Sequence, residues 1–319
     1  MLTLLKLLAD GEFHSGEVLG EELGISRSAV WKQLQQMVAE LGVEVHKVRG
    51  RGYRLANPLS LHDVAVIQAA GTPPGWSVVA LESVDSTNAE AARLIASDIA
   101  LPALVVAERQ TAGRGRRGRQ WISPFAENLY FSVLLRIEGG MRQLEGLSLL
   151  VGLAVVEVLR ETGVAAAGLK WPNDILVGRR KLAGILLELM GDPADVCHVV
   201  IGVGINVNMQ QAAEVDQAWT SVRLETGRLS DRNVLAGRLA ERLQMHLARH
   251  QRDGFSAFQD EWERNHLWQG REVSLLSGVE RIEGVVLGID ALGALRLEVN
   301  GVEKSFSGGE LSLRLRDDS

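Results

Sequence analysis

Cysteine is almost missing from this chain. Cys197 stands alone among 319 residues. That excludes a disulfide framework or a cysteine zinc site within one chain and suits a reducing cytoplasm. Its apolar neighbours make it a core residue rather than a nucleophile. Long hydrophobic runs are missing too, since none reaches the ~18 apolar residues of a membrane span. The start, Met1-Leu2-Thr3-Leu4-Leu5-Lys6-Leu7-Leu8, is apolar but short, and lacks the basic opening and small-residue cleavage site of a signal peptide. Nor is there an excess of positive charge. The formal net charge is −6, so the molecule as a whole is no general polyanion binder, and any nucleic-acid contact must come from a local patch. What remains, 46% apolar and 23% charged, describes an ordinary soluble globular protein. The length suits about two or three domains.

Chemistry concentrates in Gly113-Arg114-Gly115-Arg116-Arg117-Gly118-Arg119-Gln120-Trp121, with three glycines and four arginines in nine residues. Glycine lets a ligand approach bare N–H groups, and arginine adds planar donor forks that stay charged. Together they predict a loop for a phosphate, or for a phosphate and a carboxylate at once. Arginine–glycine tracts that bind RNA are usually long and repetitive; this one is single and lies between apolar segments. Gly113, Gly115 and Gly118 also satisfy G-x-G-x-x-G. The dinucleotide fingerprint, however, needs a helix starting at the last glycine, and here Trp121-Ile122-Ser123-Pro124-Phe125 leads into a strand.

Read in order, the leucines of residues 2–8 predict a short buried helix broken at Asp10-Gly11. Ser15 caps a second helix that Gly24 ends, and Ser26 caps a third over 27–41. Helix, glycine turn, capped helix is helix-turn-helix spacing. Ser26, Arg27, Ser28, Trp31, Lys32, Gln35 and Gln36 are positioned to reach phosphates and base edges. Strands at 43–48 and 52–55 make a wing with Lys47, Arg49, Arg51 and Arg54. From Ser26 to Arg54, six basic residues face two glutamates, a local +4 inside the −6 chain. This is the expected DNA-contact patch. His14 and His46 have no second ligand at metal spacing.

Pro58 marks a linker. Helices are expected at 61–69, 89–97 and 147–162, with Gly152 allowing close packing in the last, and strands at 77–81, 104–107 and 128–136. Residues 169–177 read as strand-like with Pro172 at an edge or bulge, hairpin-paired with 181–188, and 199–208 is a further strand. Strands outnumber helices, which predicts a mixed sheet with helices on one face. Val84-Asp85-Ser86-Thr87-Asn88 has two even readings, a helix cap or the lining of a small-ligand pocket. Lys181 on its own reads as a solvated charge. Helices over 231–262 precede short strands at 271–275, 280–289, 295–299 and 302–307, a small SH3-like β-barrel. The fold class is therefore α+β. The expected division is 1–60 winged helix, 61–267 catalytic domain and 268–319 barrel.

The loop 113–121, Lys170-Trp171-Pro172-Asn173-Asp174, Arg180-Lys181-Leu182-Ala183-Gly184-Ile185 and Gly202-Val203-Gly204-Ile205-Asn206 stand in a familiar order. Over essentially the whole chain, the sequence closely resembles the bifunctional bacterial biotin–protein ligases that are also biotin operon repressors. It departs at Ala126-Glu127, where that family usually shows a glycine. The resemblance implies an AMP-forming reaction in which biotin and MgATP give biotinyl-5′-adenylate and pyrophosphate. A lysine of the biotin carboxyl carrier protein of acetyl-CoA carboxylase then takes the biotin. It implies that Ser86, Thr87, Asn88 and Gln110 hold the ureido ring and that Arg114, Gly115 and Arg116 hold the carboxylate end. Lys181 reaches the biotinyl carboxyl or phosphoryl oxygen, with Arg116 and Lys181 as the catalytic pair. Arg117, Arg119, Asn173, Asp174 and Trp219 serve ATP or the adenylate, and no metal ligand in the protein is singled out. The adenylate would act as corepressor, with a homodimer on operator DNA. The strand after the loop, taken as an edge, and Gly139-Gly140 are candidates for the dimer surface. The loop itself is expected to order around its ligand. A dedicated biotin-sensing transcription factor, a lipoate ligase and a ligase without an operator are the rival readings.

Overall fold

The computed structural model describes residues 2–97, 99–137, 143–191, 197–277, 280–308 and 311–316. Three helices, α1 (Leu2–Leu8), α2 (Gly16–Leu23) and α3 (Arg27–Leu41), bury Leu4, Leu5, Leu8, Leu19, Val30, Leu34 and Met37 against one another. Ser15 and Ser26 cap α2 and α3 by accepting the Val18 and Ala29 N–H groups, and Gly24 closes α2 in the left-handed region. The hairpin β1 (Val45–Val48) and β2 (Gly52–Leu55) forms the wing. Tyr53 and Leu55 of β2 enter the same core.

The expected helix at 61–69 is shorter, α4 (Val64–Ala69), because the residues before it are bound to other elements. Asn233 accepts from the Asp63 N–H and donates to the Leu61 carbonyl, while the Asp63 carboxylate caps α4. Below this junction lies Arg232, fully buried, which donates to the Ser60 and Asn128 carbonyls and pairs with Glu108.

The central sheet has seven strands in the order β3-β4-β5-β9-β8-β7-β6. They are β3 (Ser77–Leu81), β4 (Ala103–Ala107), β5 (Leu129–Ile137), β6 (Ala167–Lys170), β7 (Asp174–Val177), β8 (Arg180–Gly191) and β9 (Cys197–Ile205). β3 and β4 are parallel and the other neighbours antiparallel. Side chains alternate along a strand, so β3, β4, β5 and β9 serve two cores. On one face Leu104, Val106, Phe131, Val133, Val199 and Ile201 meet α6 (Leu147–Glu161) and α8 (Arg232–Asp253). On the other, Ala103, Val105, Leu134 and Val200 meet Ala91 of α5 (Thr87–Arg93). Helices therefore cover both faces, not one. Gly152 of α6 lies where a Cβ would come within 2.9 Å of Leu169, the close packing expected of it. Pro172 sits in the turn between β6 and β7, and the edge strands of the sheet are β3 and β6. β5 is not an edge either, since β4 and β9 flank it. That removes it as a dimer edge, and Gly139-Gly140 lie outside the described residues.

α7 (Val222–Thr226), α8 and α9 (Gln259–Asn265) lead to a five-stranded antiparallel sheet in the order β13-β12-β11-β10-β14. Its strands are β10 (Glu272–Ser277), β11 (Glu280–Ile289), β12 (Leu295–Val299), β13 (Val302–Phe306) and β14 (Leu311–Leu315). β14 was not foreseen. Val273, Leu275, Val286 and Leu313 join the large core of the central sheet. The winged helix keeps a separate core, entered from outside by Phe125 and Ala126. Ala126 holds φ 57°, is 1% exposed, and donates its N–H to the Glu108 carbonyl. A left-handed φ costs an alanine about 1 kcal/mol.

His266 follows α9, buried against Trp262 with ring centroids 4.7 Å apart. Burial drives its pKa down to about 4, with Gln269 opposing. The ring is neutral in the fold and ionises more readily when unfolded. Its contribution to stability is therefore full above pH ~6.5 and lost as pH falls toward 4, by about 1 kcal/mol per pH unit inside that window. Denaturation midpoints measured between pH 7 and pH 5 should show this slope, and His266→Phe should remove that part of it.

Candidate functional site

One cavity gathers Ser86, Thr87, Asn88, Gln110, Arg114, Gly115, Arg116, Arg117, Arg119, Asn173, Asp174 and Lys181. Four stretches far apart in the chain supply them: the start of α5, the end of β4 with the loop after it, the β6–β7 turn, and β8. Trp219 lines an adjoining recess with Arg119, Trp121 and Lys181.

The floor is glycine. Gly184 and Gly204 face each other across β8 and β9, and Gly202 pairs with Leu186. A Cβ at Gly204 would lie 2.5 Å from the Trp121 indole, and one at Gly202 would collide with the Asn88 amide. The missing side chains are what let a ring and an amide lie flat on the sheet.

At the α5 end, the even choice between cap and ligand lining is resolved against capping. Ser86 occupies the N-cap position, yet its side chain makes no cap hydrogen bond. The Thr87 N–H goes instead to Gln110 Oε1 at 2.9 Å. Asn88 is 4% exposed and fully engaged: its amide donates to Glu188 Oε2 at 2.7 Å and to the Leu186 carbonyl at 3.3 Å, and its oxygen accepts from Ser132 at 2.6 Å. Asn88 thus sets the wall of the pocket more than it offers free donors. Ser132 was missed, although a serine in an apolar strand was the signal for it.

The loop folds back on itself through Gly115 N–H to the Arg119 carbonyl at 2.7 Å and Trp121 N–H to the Gly113 carbonyl at 2.9 Å. A single 3₁₀ turn at Arg116–Gly118 ends on the last glycine and Arg119 after it is extended, so no helix starts there, which disposes of the dinucleotide fingerprint. Arg114, Arg116 and Lys181, three of the cations that the loop and β8 bring in, each meet an acceptor. Arg116 Nη1 donates to Asn173 Oδ1 at 2.8 Å, and the Asn173 amide is held by the Ile185 carbonyl at 2.8 Å. Asn173 therefore orients Arg116 while lining the same cavity. Arg116 also reaches the Leu311 carbonyl at 3.4 Å. Leu311, Ser312 and Leu313 of β14 line the cavity, and they escaped the sequence reading along with their strand.

Lys181 is no solvated charge. Its Nζ lies 2.6 Å from Asp174 Oδ1 and 5.5 Å from the Trp121 ring centre, with the side chain 17% exposed. Lys170 takes Asp174 Oδ2 at 3.2 Å. Burial pushes the Asp174 carboxyl up, but Lys181 and Lys170 together outweigh it and hold it below the ordinary carboxylate value. Trp219 is bridged to Lys181 in the backbone: Lys181 N–H donates to the Ala218 carbonyl and Thr220 N–H to the Lys181 carbonyl, both at 2.9 Å. Among the described residues no group of three or more His, Cys, Asp or Glu side chains is arranged for a metal ion.

On the winged helix, Ser26, Arg27, Ser28, Trp31, Lys32, Gln35, Lys47, Arg49 and Arg51 are all exposed. Trp31 of α3 stacks on Tyr53 of the wing, and Lys47 lies 4.3 Å over the Trp31 ring. Arg51 lies 4.2 Å over Phe13. Wing and third helix thus form one basic surface stapled by aromatics. The Ser26 hydroxyl already serves as the helix cap. His14 is paired with Asp10 at 2.9 Å.

An anion-collecting cavity on a mixed sheet, joined to a helix-turn-helix head, defines a class: a ligase domain carrying a DNA-binding module. The chain belongs to the Biotin/lipoate A/B protein ligase family, whose profile matches residues 80–206. An HTH domain profile matches 1–54 and the Biotin protein ligase C terminal domain profile 270–314. The bifunctional ligase/repressor BirA of Salmonella typhimurium is 44% identical over 315 residues, covering 98% of this chain and 97% of that protein. The protein of the same description from Bacillus subtilis is 33% identical, covering 94% of each. Among solved structures, the biotin protein ligase of Aquifex aeolicus in complex with biotin and ATP superimposes with a TM-score of 0.66 at 33% identity, over 75% of this chain and 99% of that one. No described helix is long and apolar enough to cross a membrane.

Replacing Asp174 by Asn would leave two ammonium groups facing each other without a carboxylate. Breaking so buried a pair costs about 3 kcal/mol, so D174N should lower the urea midpoint markedly, and Lys170→Met in that background should recover part of the loss. Because Lys181 and Lys170 hold the Asp174 carboxyl below the ordinary carboxylate range, the stability the wild-type pair supplies should be kept at neutral and mildly acid pH and lost only as the pH falls through that depressed value.

Proposed function

We propose that this protein is a biotin–protein ligase and repressor. It joins biotin to AMP from ATP with release of pyrophosphate, and passes the biotin to a lysine of an acceptor protein. Its winged helix binds operator DNA. The observation that carries the reading is the convergence of Arg114, Arg116 and Lys181 on one glycine-floored cavity beside Gln110 and Ser86.

The chemistry follows from charge. A carboxylate and a phosphate brought to ~4 Å repel by about 4 kcal/mol at an effective dielectric near 20. Cations fixed in advance reverse that, and they act most strongly on the charge that builds up as the carboxylate oxygen attacks the α-phosphorus and pyrophosphate leaves. We assign Arg116 and Lys181 to that attack, Ser86, Thr87 and Gln110 to the ureido ring with Asn88 shaping its wall, and Arg114 and Gly115 to the carboxylate end. Arg117, Arg119 and Trp219 face the nucleotide side. Mg2+ enters on the triphosphate, as suits a hard cation that keeps most of its waters. The chain's nearest carboxylate, Asp174, is committed to its two lysines. We take the acceptor to be the biotin carboxyl carrier protein of acetyl-CoA carboxylase, the DNA-bound form to be an adenylate-loaded homodimer, and the compartment to be the cytoplasm, in keeping with a single buried thiol. The division into 1–60, 61–267 and 268–319 is likewise our reading, supported by the winged helix having its own core.

Purified protein given biotin and MgATP should release pyrophosphate and label a carrier domain, and lipoate in excess should not compete. Arg116→Gln should cut adenylate formation by ~10²-fold. An Arg49→Ala/Arg51→Ala wing should lose the operator shift while labelling the carrier. Labelling with lipoate in place of biotin would refute the substrate assignment.

A further inference from the structure

Along β8, residues 184, 186 and 188 share one side of the strand. Gly184 and Leu186 line the cavity. The next position on that side, Glu188, sits at its rim and has no part in the roles assigned above. Its carboxylate meets Arg114 with both oxygens, Nη1 to Oε1 at 2.9 Å and Nη2 to Oε2 at 2.9 Å. Oε2 also takes the Asn88 amide proton at 2.7 Å. Asn88 can approach this closely because Gly202, opposite Leu186, has no side chain.

From this geometry we propose that Glu188 is a positioning residue for biotin. One carboxylate clasps the arginine of the anion loop and the amide of the ring pocket, so the two ends of the substrate site are set relative to each other. The inference rests on the ligase reading and deepens it. The bidentate fork fixes the guanidinium plane as well as its distance. The amide bond fixes which way the Asn88 side chain points, which determines that Ser132 donates to its oxygen. The pair with Arg114 contributes little to global stability. Arg114 is 46% exposed and Glu188 25%, and half-exposed pairs of this kind are worth little to the fold. Their effect falls on substrate binding, where a misaimed arginine and a turned amide each remove a contact.

The test is Glu188→Gln, which keeps the shape but offers an amide N–H₂ where Arg114 needs an acceptor. Steady-state pyrophosphate release should show the KM for biotin raised roughly tenfold, with kcat within about threefold, the KM for ATP unmoved and the melting temperature unmoved. Arg114→Gln should raise the biotin KM by itself, and adding E188Q to it should change little more, because the two act as one unit. An unmoved or lowered biotin KM in E188Q, or a rise shared equally by ATP and accompanied by a lower melting temperature, overturns the assignment while leaving the ligase reading intact. Wild-type protein that makes no biotinyl-adenylate sinks both.

Discussion

Cations that must act on a substrate have to be held together before the substrate arrives. Guanidinium and ammonium groups crowded into one cavity repel one another. The structure meets this by giving Arg114, Arg116 and Lys181 acceptors from one short stretch, residues 173–188. Arg116 rests on Asn173 in the turn before β7, Lys181 on Asp174 at the start of β7, and Arg114 on Glu188 near the end of β8. The acceptors differ in kind. Asn173 offers Arg116 a neutral amide oxygen, whereas Asp174 shares one negative charge between two lysines. The sheet supplies the rigidity, since β8 is paired along its length with β9, and β9 with β5. The positions of the charges are therefore properties of backbone register more than of flexible side chains.

Much of this was legible in the sequence. Ser15, Gly24, Ser26 and the wing residues gave the DNA-binding head nearly to the residue, because caps and turns are local chemistry. The arginine–glycine loop announced an anion site for the same reason. What local reading missed depends on distant partners. The helix expected at 61–69 starts late because Asn233, some 170 residues away, claims the backbone before it. That Asn173 holds Arg116 could not be read locally, since 57 residues separate them. Glu188 and Ser132 carry no motif, and their meaning comes from β8 and β5 lying where α5 can touch them. The strand β14 was missed, and with it the wall it contributes.

The apolar cores of the molecule are joined unequally. The central sheet and the C-terminal sheet share one continuous apolar interior, while the winged helix is tied on by fewer threads. Arg109, next to Gln110, donates to the Glu40 carbonyl near the end of α3 at 2.6 Å. Leu59 in the linker donates its N–H to the Ala9 carbonyl at 2.8 Å. Arg232 pins that linker from below.

The strongest thread is the chain itself. Phe125 and Ala126, a few residues beyond Trp121, plug into the interior of the head, with Ala126 in a conformation that glycine adopts more easily. The head is consequently no detachable cassette. Transplanting it from a relative would bring a foreign socket for this two-residue peg, and the graft would need segment 123–126 from the donor to seat properly.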